Sequence, residues 1–149
     1  MRAILLLSLL LMSFTSSATD LEIVDGEKVY SYQLANLYTE ARDTARLYAP
    51  FRKQNVEFRG FDFERFLRDR VGRDVQSVRI TAADGYEVNM AQLRGGTWML
   101  VTHENGEPLT LKNLGPLRLI QTDIGDRDPE NMSLFDDWIW MVKKIEVVN

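Results

Sequence analysis

The chain contains no cysteine and a single histidine in 149 residues. Without thiols it has no disulfide, no thiolate metal site and no cysteine nucleophile. One imidazole, His103, does not furnish a histidine-rich zinc site or a Ser-His-Asp triad. Positive charge is also short: 18 Lys and Arg face 22 Asp and Glu, for a formal net charge of -4. The basic residues are scattered, so the electrostatic footprint of a nucleic-acid binder is missing. Internal repeats, low-complexity stretches and Gly/Ser/Pro linkers are absent, which leaves one globular unit as the simplest organisation.

Long apolar runs are confined to the N-terminus. Arg2 precedes an almost unbroken apolar stretch from Ala3 to Met12, followed by small and polar residues ending in Ser16-Ser17-Ala18. A charged start, a short apolar run and a small-residue exit predict a secretory signal peptide over residues 1–18, cleaved after Ala18. The run falls well short of the roughly 20 apolar residues that span a bilayer. No cysteine follows it for lipid attachment, and no Arg-Arg pair marks the twin-arginine route. The expectation is a single domain over residues 19–149 that works beyond the membrane it crosses and acquires any ligand there.

Turn signals divide the rest. Asp25-Gly26, Asp84-Gly85 and Asn105-Gly106 predict hairpins, the last most strongly. Strands are expected at 21–24, 28–30, 75–82, 86–90, 98–103, 117–121 and 145–148. Ser31 is placed to cap a helix carrying Leu34, Leu37, Tyr38 and Ala41, ending before Ala49-Pro50. Residues 50–60 read as extended. Asp62 opens a clearer helix with Phe63, Phe66, Leu67 and Val71 on one face and Gly72 as its stop. Residues 122–132 read as loop. Ser133 and Asp136 resemble a capping box before Trp138, Met141, Val142 and Ile145, spaced as a short helix. Short strands with few helices predict an α+β fold, mainly β, built on a mixed sheet or barrel.

Few residues are arranged for chemistry. Asp123, Asp126, Asp128 and Glu130 miss the spacing of a calcium loop. His103 beside Glu104 suggests a proton-transfer pair, but a lone strand histidine is more often structural. Gly95-Gly96 lacks the Lys-Ser/Thr of a phosphate loop. The aromatics are more informative. On a helix Trp138 and Trp140 would lie about 200° apart, so at least one should reach the surface or a cleft. Core packing is the plain alternative, since large aromatics dominate interiors.

Several segments together resemble the sulfite-oxidase molybdopterin-binding fold. They are Phe58-Arg59-Gly60-Phe61 before a helix with Phe66-Leu67, Ala83-Asp84-Gly85-Tyr86, Asn105-Gly106-Glu107-Pro108-Leu109, Gly115-Pro116-Leu117-Arg118 and the closing Trp138-Ile139-Trp140 with Ile145-Glu146-Val147. The likeness runs from about residue 56 to the end. It departs where the metal is held: enzymes of that fold bind molybdenum through a cysteine, and here residues 46–56 read Arg-Leu-Tyr-Ala-Pro-Phe-Arg-Lys-Gln-Asn-Val. Their histidine before the Gly-x-Pro-x-Arg step is Leu114, and that step is one residue shorter.

The resemblance implies a small exported regulator without catalysis or a resident metal. It would work in the periplasm, bind a free pterin in its reduced form and signal to the periplasmic sensor domain of an inner-membrane enzyme that makes or degrades cyclic di-GMP, and so to biofilm formation. A pterin's 2-amino-4-oxo edge matches a carboxylate, and its rings stack on aromatics. Asp84 and Glu104 are the edge-reading candidates, and Tyr86, Trp138 and Trp140 the stacking ones. Arg118 is the counterpart of the family's cofactor-contacting arginine, and Arg52 lies in the substituted loop. The alternatives are an interaction module with a vestigial cavity and a molybdopterin-dependent oxidoreductase.

Overall fold

The computed structural model describes residues 21–148; the expected signal peptide lies outside them. The described residues open with a hairpin, β1 (Leu21–Asp25) and β2 (Lys28–Tyr32), turning at Asp25-Gly26 as expected. A short helix α1 (Leu34–Glu40) precedes a second hairpin, β3 (Asp43–Ala49) and β4 (Gln54–Asp62). Helix α2 (Phe63–Val71) follows directly. The Asp62 carboxylate accepts from the Arg65 amide at 2.8 Å, Gly72 ends the helix in the left-handed region, and Phe63, Phe66 and Leu67 are buried. Then come β5 (Ser77–Ala82), β6 (Glu87–Met90), β7 (Trp98–Glu104), β8 (Glu107–Pro108), β9 (Arg118–Gln121) and β10 (Val142–Val148).

Among the described residues ten strands form two open sheets, so the barrel form of the expectation is not realised. The first has the order β2-β1-β10-β5-β6, with β1 and β10 parallel and the other pairs antiparallel. The second runs β3-β4-β7, and both β8 and β9 pair with β7. Strand β7 is buried on both faces, which explains its continuous apolar sequence. Leu100 and Leu119 face a core shared with α2 and the first sheet. Met99, Val101 and Ile120 face a second core with Phe58, Phe135 and Trp138.

Two expected helices are corrected. The first ends at Glu40 and does not run on toward Ala49-Pro50: residues 43–49 are strand β3, whose alternate Ala45, Leu47 and Ala49 pack on the second core. Gln33, not Ser31, takes the N-cap position, because Ser31 pairs with Glu22 in the first hairpin. The closing segment is likewise not helical. Met132–Phe135 makes one 3-10 turn, capped by Asn131 rather than Ser133, and Ile139 forms an isolated antiparallel bridge to Leu119. Both backbone hydrogen bonds of that bridge are made, at 2.8 and 3.0 Å. This distant pairing pulls residues 138–140 into an extended path, and β10 begins at Val142.

The contact between β4 and β7 is irregular where it matters most. Arg59 pairs with His103 but Gly60 pairs with Val101, so Thr102 is an extra residue in β7. Its hydroxyl donates to the Arg59 carbonyl at 3.1 Å. The strands approach so closely that a Cβ on Gly60 would lie 2.0 Å from the Leu100 carbonyl oxygen, which only glycine accommodates. The bulge shifts the alternation of β7 by one. Glu104 therefore shares a face with Met99 and Val101, while His103 faces the other way.

Candidate functional site

That face carries a cluster of charged side chains around the buried Arg118. Arg118 opens β9 opposite Val101 and is fully buried, its side chain projecting with Ile120 toward the second core. Its Nη1 donates to Glu104 Oε2 at 2.8 Å and its Nη2 to the Asn113 carbonyl at 2.6 Å. The guanidinium lies between two rings, with Cζ 4.7 Å from the Phe51 centroid and 4.5 Å from that of Trp140. Arg118 Nε has no hydrogen-bond partner and no solvent contact. Arg52, on the turn joining β3 and β4, completes the cluster: its Nε donates to Glu104 Oε1 at 2.6 Å and its Nη2 to Oε2 at 3.2 Å.

Glu104 is thus a carboxylate gripped by two arginines. Burial by itself would raise its carboxyl, but the hydrogen bonds and charges of Arg52 and Arg118 outweigh that and hold it below the usual carboxylate range. Burial lowers the Arg118 guanidinium, opposed by the Glu104 charge. Two cations on one anion leave the cluster with an excess of positive charge.

The structure brings Arg52, Glu104, Arg118 and Trp140 together, and adds Trp138 at the back. Trp138 is 2% exposed and packs against Phe135 and Phe51, with centroids 5.1 and 6.1 Å apart. As a core residue it offers no face to a ligand. Trp140 is half-buried and meets Phe51 edge-on at 4.5 Å. The two tryptophans face the same side because the segment is extended, where alternate residues share a face. The 200° helical separation does not apply.

Asp84 and Tyr86 lie elsewhere, on the turn between β5 and β6 of the first sheet. Asp84 Oδ1 accepts from the Tyr86 amide at 3.0 Å, closing its own turn. Tyr86 is 50% exposed, and its hydroxyl donates to the Asp136 carbonyl at 3.1 Å. Two contributors escaped the sequence reading. Phe51 touches Arg52, Arg118, Trp138 and Trp140; its only signal was an aromatic between Pro50 and Arg52 in the substituted loop. Asn113 acts through its backbone carbonyl, which no side-chain pattern reveals.

His103 serves the structure. Its Nδ1 lies 2.7 Å from the Thr102 hydroxyl, within hydrogen-bond distance. The ring stands edge-on to Tyr38 at 5.4 Å, and burial, with the Arg59 charge, pushes its pKa below the usual imidazole value. In the acidic loop, Asp123 and Asp128 cap the Gly125 and Glu130 amides, and Glu130 accepts from Tyr48. No group of three or more His, Asp or Glu is placed to hold a metal among the described residues. An apolar cleft of about 440 Å3 is lined by Tyr38, Leu109, Leu111, Pro116, Met141 and Lys143 among others.

No protein-family model and no curated protein matches the chain. Its three-dimensional structure is similar to the crystal structure of the sulfane dehydrogenase SoxCD from Paracoccus pantotrophus, with 17% sequence identity and a TM-score of 0.56. The fold is sulfite-oxidase-like. The likeness covers 85% of this chain and 37% of the SoxCD chain, so this protein spans little more than a third of that one. No helix among the described residues is long and apolar enough to cross a membrane.

Proposed function

We propose that this protein is a non-catalytic binding protein for a free pterin, and that Glu104 reads the ligand's 2-amino-4-oxo edge. One observation carries the reading: Glu104 is a largely buried carboxylate, held ionised, in a cluster whose aromatic rings are Phe51 and Trp140. An ionised carboxylate accepts two parallel N–H donors, and buried donors of this kind discriminate strongly between heterocycles that do and do not present them. Trp140 and Phe51 are the stacking candidates, and Arg118 orients the carboxylate.

The neighbouring fold raises molybdenum chemistry as an alternative. The residues here do not fit it. The chain has no thiolate, and the corresponding loop presents Phe51 and Arg52, whose side chains close over Glu104 and Arg118. A second reading, an interaction module with a filled cavity, draws on the same packing, since Arg118 already occupies one face of Trp140. Export to the periplasm is supported by residues 1–18. Signalling to the periplasmic sensor domain of a membrane-bound cyclic di-GMP enzyme is supported by the family resemblance alone.

Calorimetry of the chain from Thr19 with oxidised and reduced pterins tests the reading. Micromolar binding that is lost in Glu104→Gln is expected. Absence of binding to every pterin would favour the filled-cavity module. For export, N-terminal sequencing of secreted protein should begin at Thr19, and a start at Met1 would refute cleavage. Gene deletion should alter cyclic di-GMP only in cells that carry the cognate membrane enzyme.

A further inference from the structure

The three charged members of the cluster differ in how firmly they are held. Arg118 is anchored from both sides, to Glu104 and to the Asn113 carbonyl, and its side chain is 0% exposed. Glu104 exposes 10% of its side chain. Arg52 exposes 33% and sits on the turn between β3 and β4, where Arg52 and Lys53 both donate their amides to the Ala49 carbonyl. The carboxylate therefore has one fixed partner and one on the rim.

The rim partner has a particular shape. Arg52 offers two roughly parallel N–H donors from a flat N–C–N frame, one to each oxygen of Glu104, with its Cζ 5.3 Å from the Phe51 centroid. A 2-amino-4-oxo heterocycle presents the same frame through its exocyclic amine and adjacent ring N–H. It also needs an aromatic neighbour. Glu104 already accepts from Arg52 at both oxygens and from Arg118 at one, so a bidentate ligand edge finds no vacant pair of acceptor positions while Arg52 is docked. Charge points the same way: with Arg52 released, Glu104 and Arg118 balance, and a neutral heterocycle adds nothing to disturb them.

Building on the pterin reading above, we infer that Arg52 is a latch that occupies the ligand's place on Glu104 and swings out when a 2-amino-4-oxo heterocycle binds. Binding is then a competition between two guanidine-like edges for one carboxylate. The latch weakens affinity, and salt, which screens a rim ion pair more than a buried one, loosens it. Pterin binding by the wild type should therefore tighten with ionic strength.

Calorimetry with 6-methylpterin and 6-methyllumazine, which lacks the 2-amino group, tests this on the chain from Thr19. Arg52→Ala should bind 6-methylpterin about two- to fivefold more tightly than wild type, the scale of losing a partly exposed ion pair. Its affinity should no longer rise with salt, and 6-methyllumazine should gain nothing. If wild type binds 6-methylpterin and Arg52→Ala binds it equally or more weakly, the latch is wrong and the pterin site stands. If neither protein binds 6-methylpterin, both the latch and the pterin reading fall.

Discussion

Glu104 and Arg118 come from adjacent strands, β7 and β9, and meet at 2.8 Å where almost no solvent reaches. The pair exists because the extra residue Thr102 brings Glu104 to the face that Arg118 and Ile120 share. Removing one partner of such a pair leaves an uncompensated charge inside the protein. Glu104→Gln should cost about 3 kcal/mol of stability. Adding Arg118→Met should recover part of that loss, since no charge is then buried. Urea unfolding of the two variants checks both statements, and a wild-type midpoint for Glu104→Gln would contradict the first.

Acid should destabilise the protein in two stages. Burial, followed by Arg59, lowers the His103 pKa from its ordinary 6.5, so the unfolded chain takes up that proton first. This contribution is fully present above pH 6.5 and is lost as pH falls through the lower folded value. The Glu104 carboxyl is also lowered, from 4.5: burial opposes the shift, and Arg52 and Arg118 prevail. Its contribution is fully present above pH 4.5 and fades below that. Melting temperature against pH should show both losses. His103→Asn should remove the upper one, and Glu104→Gln should shrink the lower one, which the likewise lowered Asp43 carboxyl shares.

The two tryptophans should separate cleanly by phenotype. Trp138 is a core residue, so Trp138→Ala should cost about 3–5 kcal/mol of stability. Trp140 is half-buried beside Arg118, so Trp140→Ala should weaken pterin binding by about 1–3 kcal/mol with a smaller loss of fold. Denaturation and calorimetry on the same preparations measure both. Equal pterin affinity in Trp140→Ala would remove that residue from the site.

Gly60→Ala should damage both the fold and the site. Its Cβ would overlap the Leu100 carbonyl oxygen at 2.0 Å, so β4 and β7 must separate at the bulge that orients Glu104. A loss of about 3 kcal/mol or more is expected. Thermal melting, with amide exchange across β7, would register it; an unchanged melt would mean the strands tolerate a wider spacing.

Much of this protein was determined by sequence alone. The turns at Asp25-Gly26, Asp84-Gly85 and Asn105-Gly106, the α2 boundaries at Asp62 and Gly72, and the buried strand at Trp98–Glu104 all depend on residues a few positions apart. So did the exclusion of thiolate chemistry, which is a matter of composition. Tertiary structure decided the rest. The Trp138–Ile145 spacing fits a helix, but Leu119 captures Ile139 and the segment is drawn out instead. Residues 43–49 have a composition compatible with either state, and only pairing with β4 makes them a strand. The site followed the same rule: Arg52, Glu104 and Arg118 were visible as charges, whereas their convergence over Phe51 required three strands and a bulge to come together. Local preferences act over a few residues and are worth fractions of a kcal/mol to about 1 kcal/mol each. A buried ion pair or a cross-sheet bridge joins positions far apart in the chain, and its energy outweighs those preferences only once the fold has closed around it.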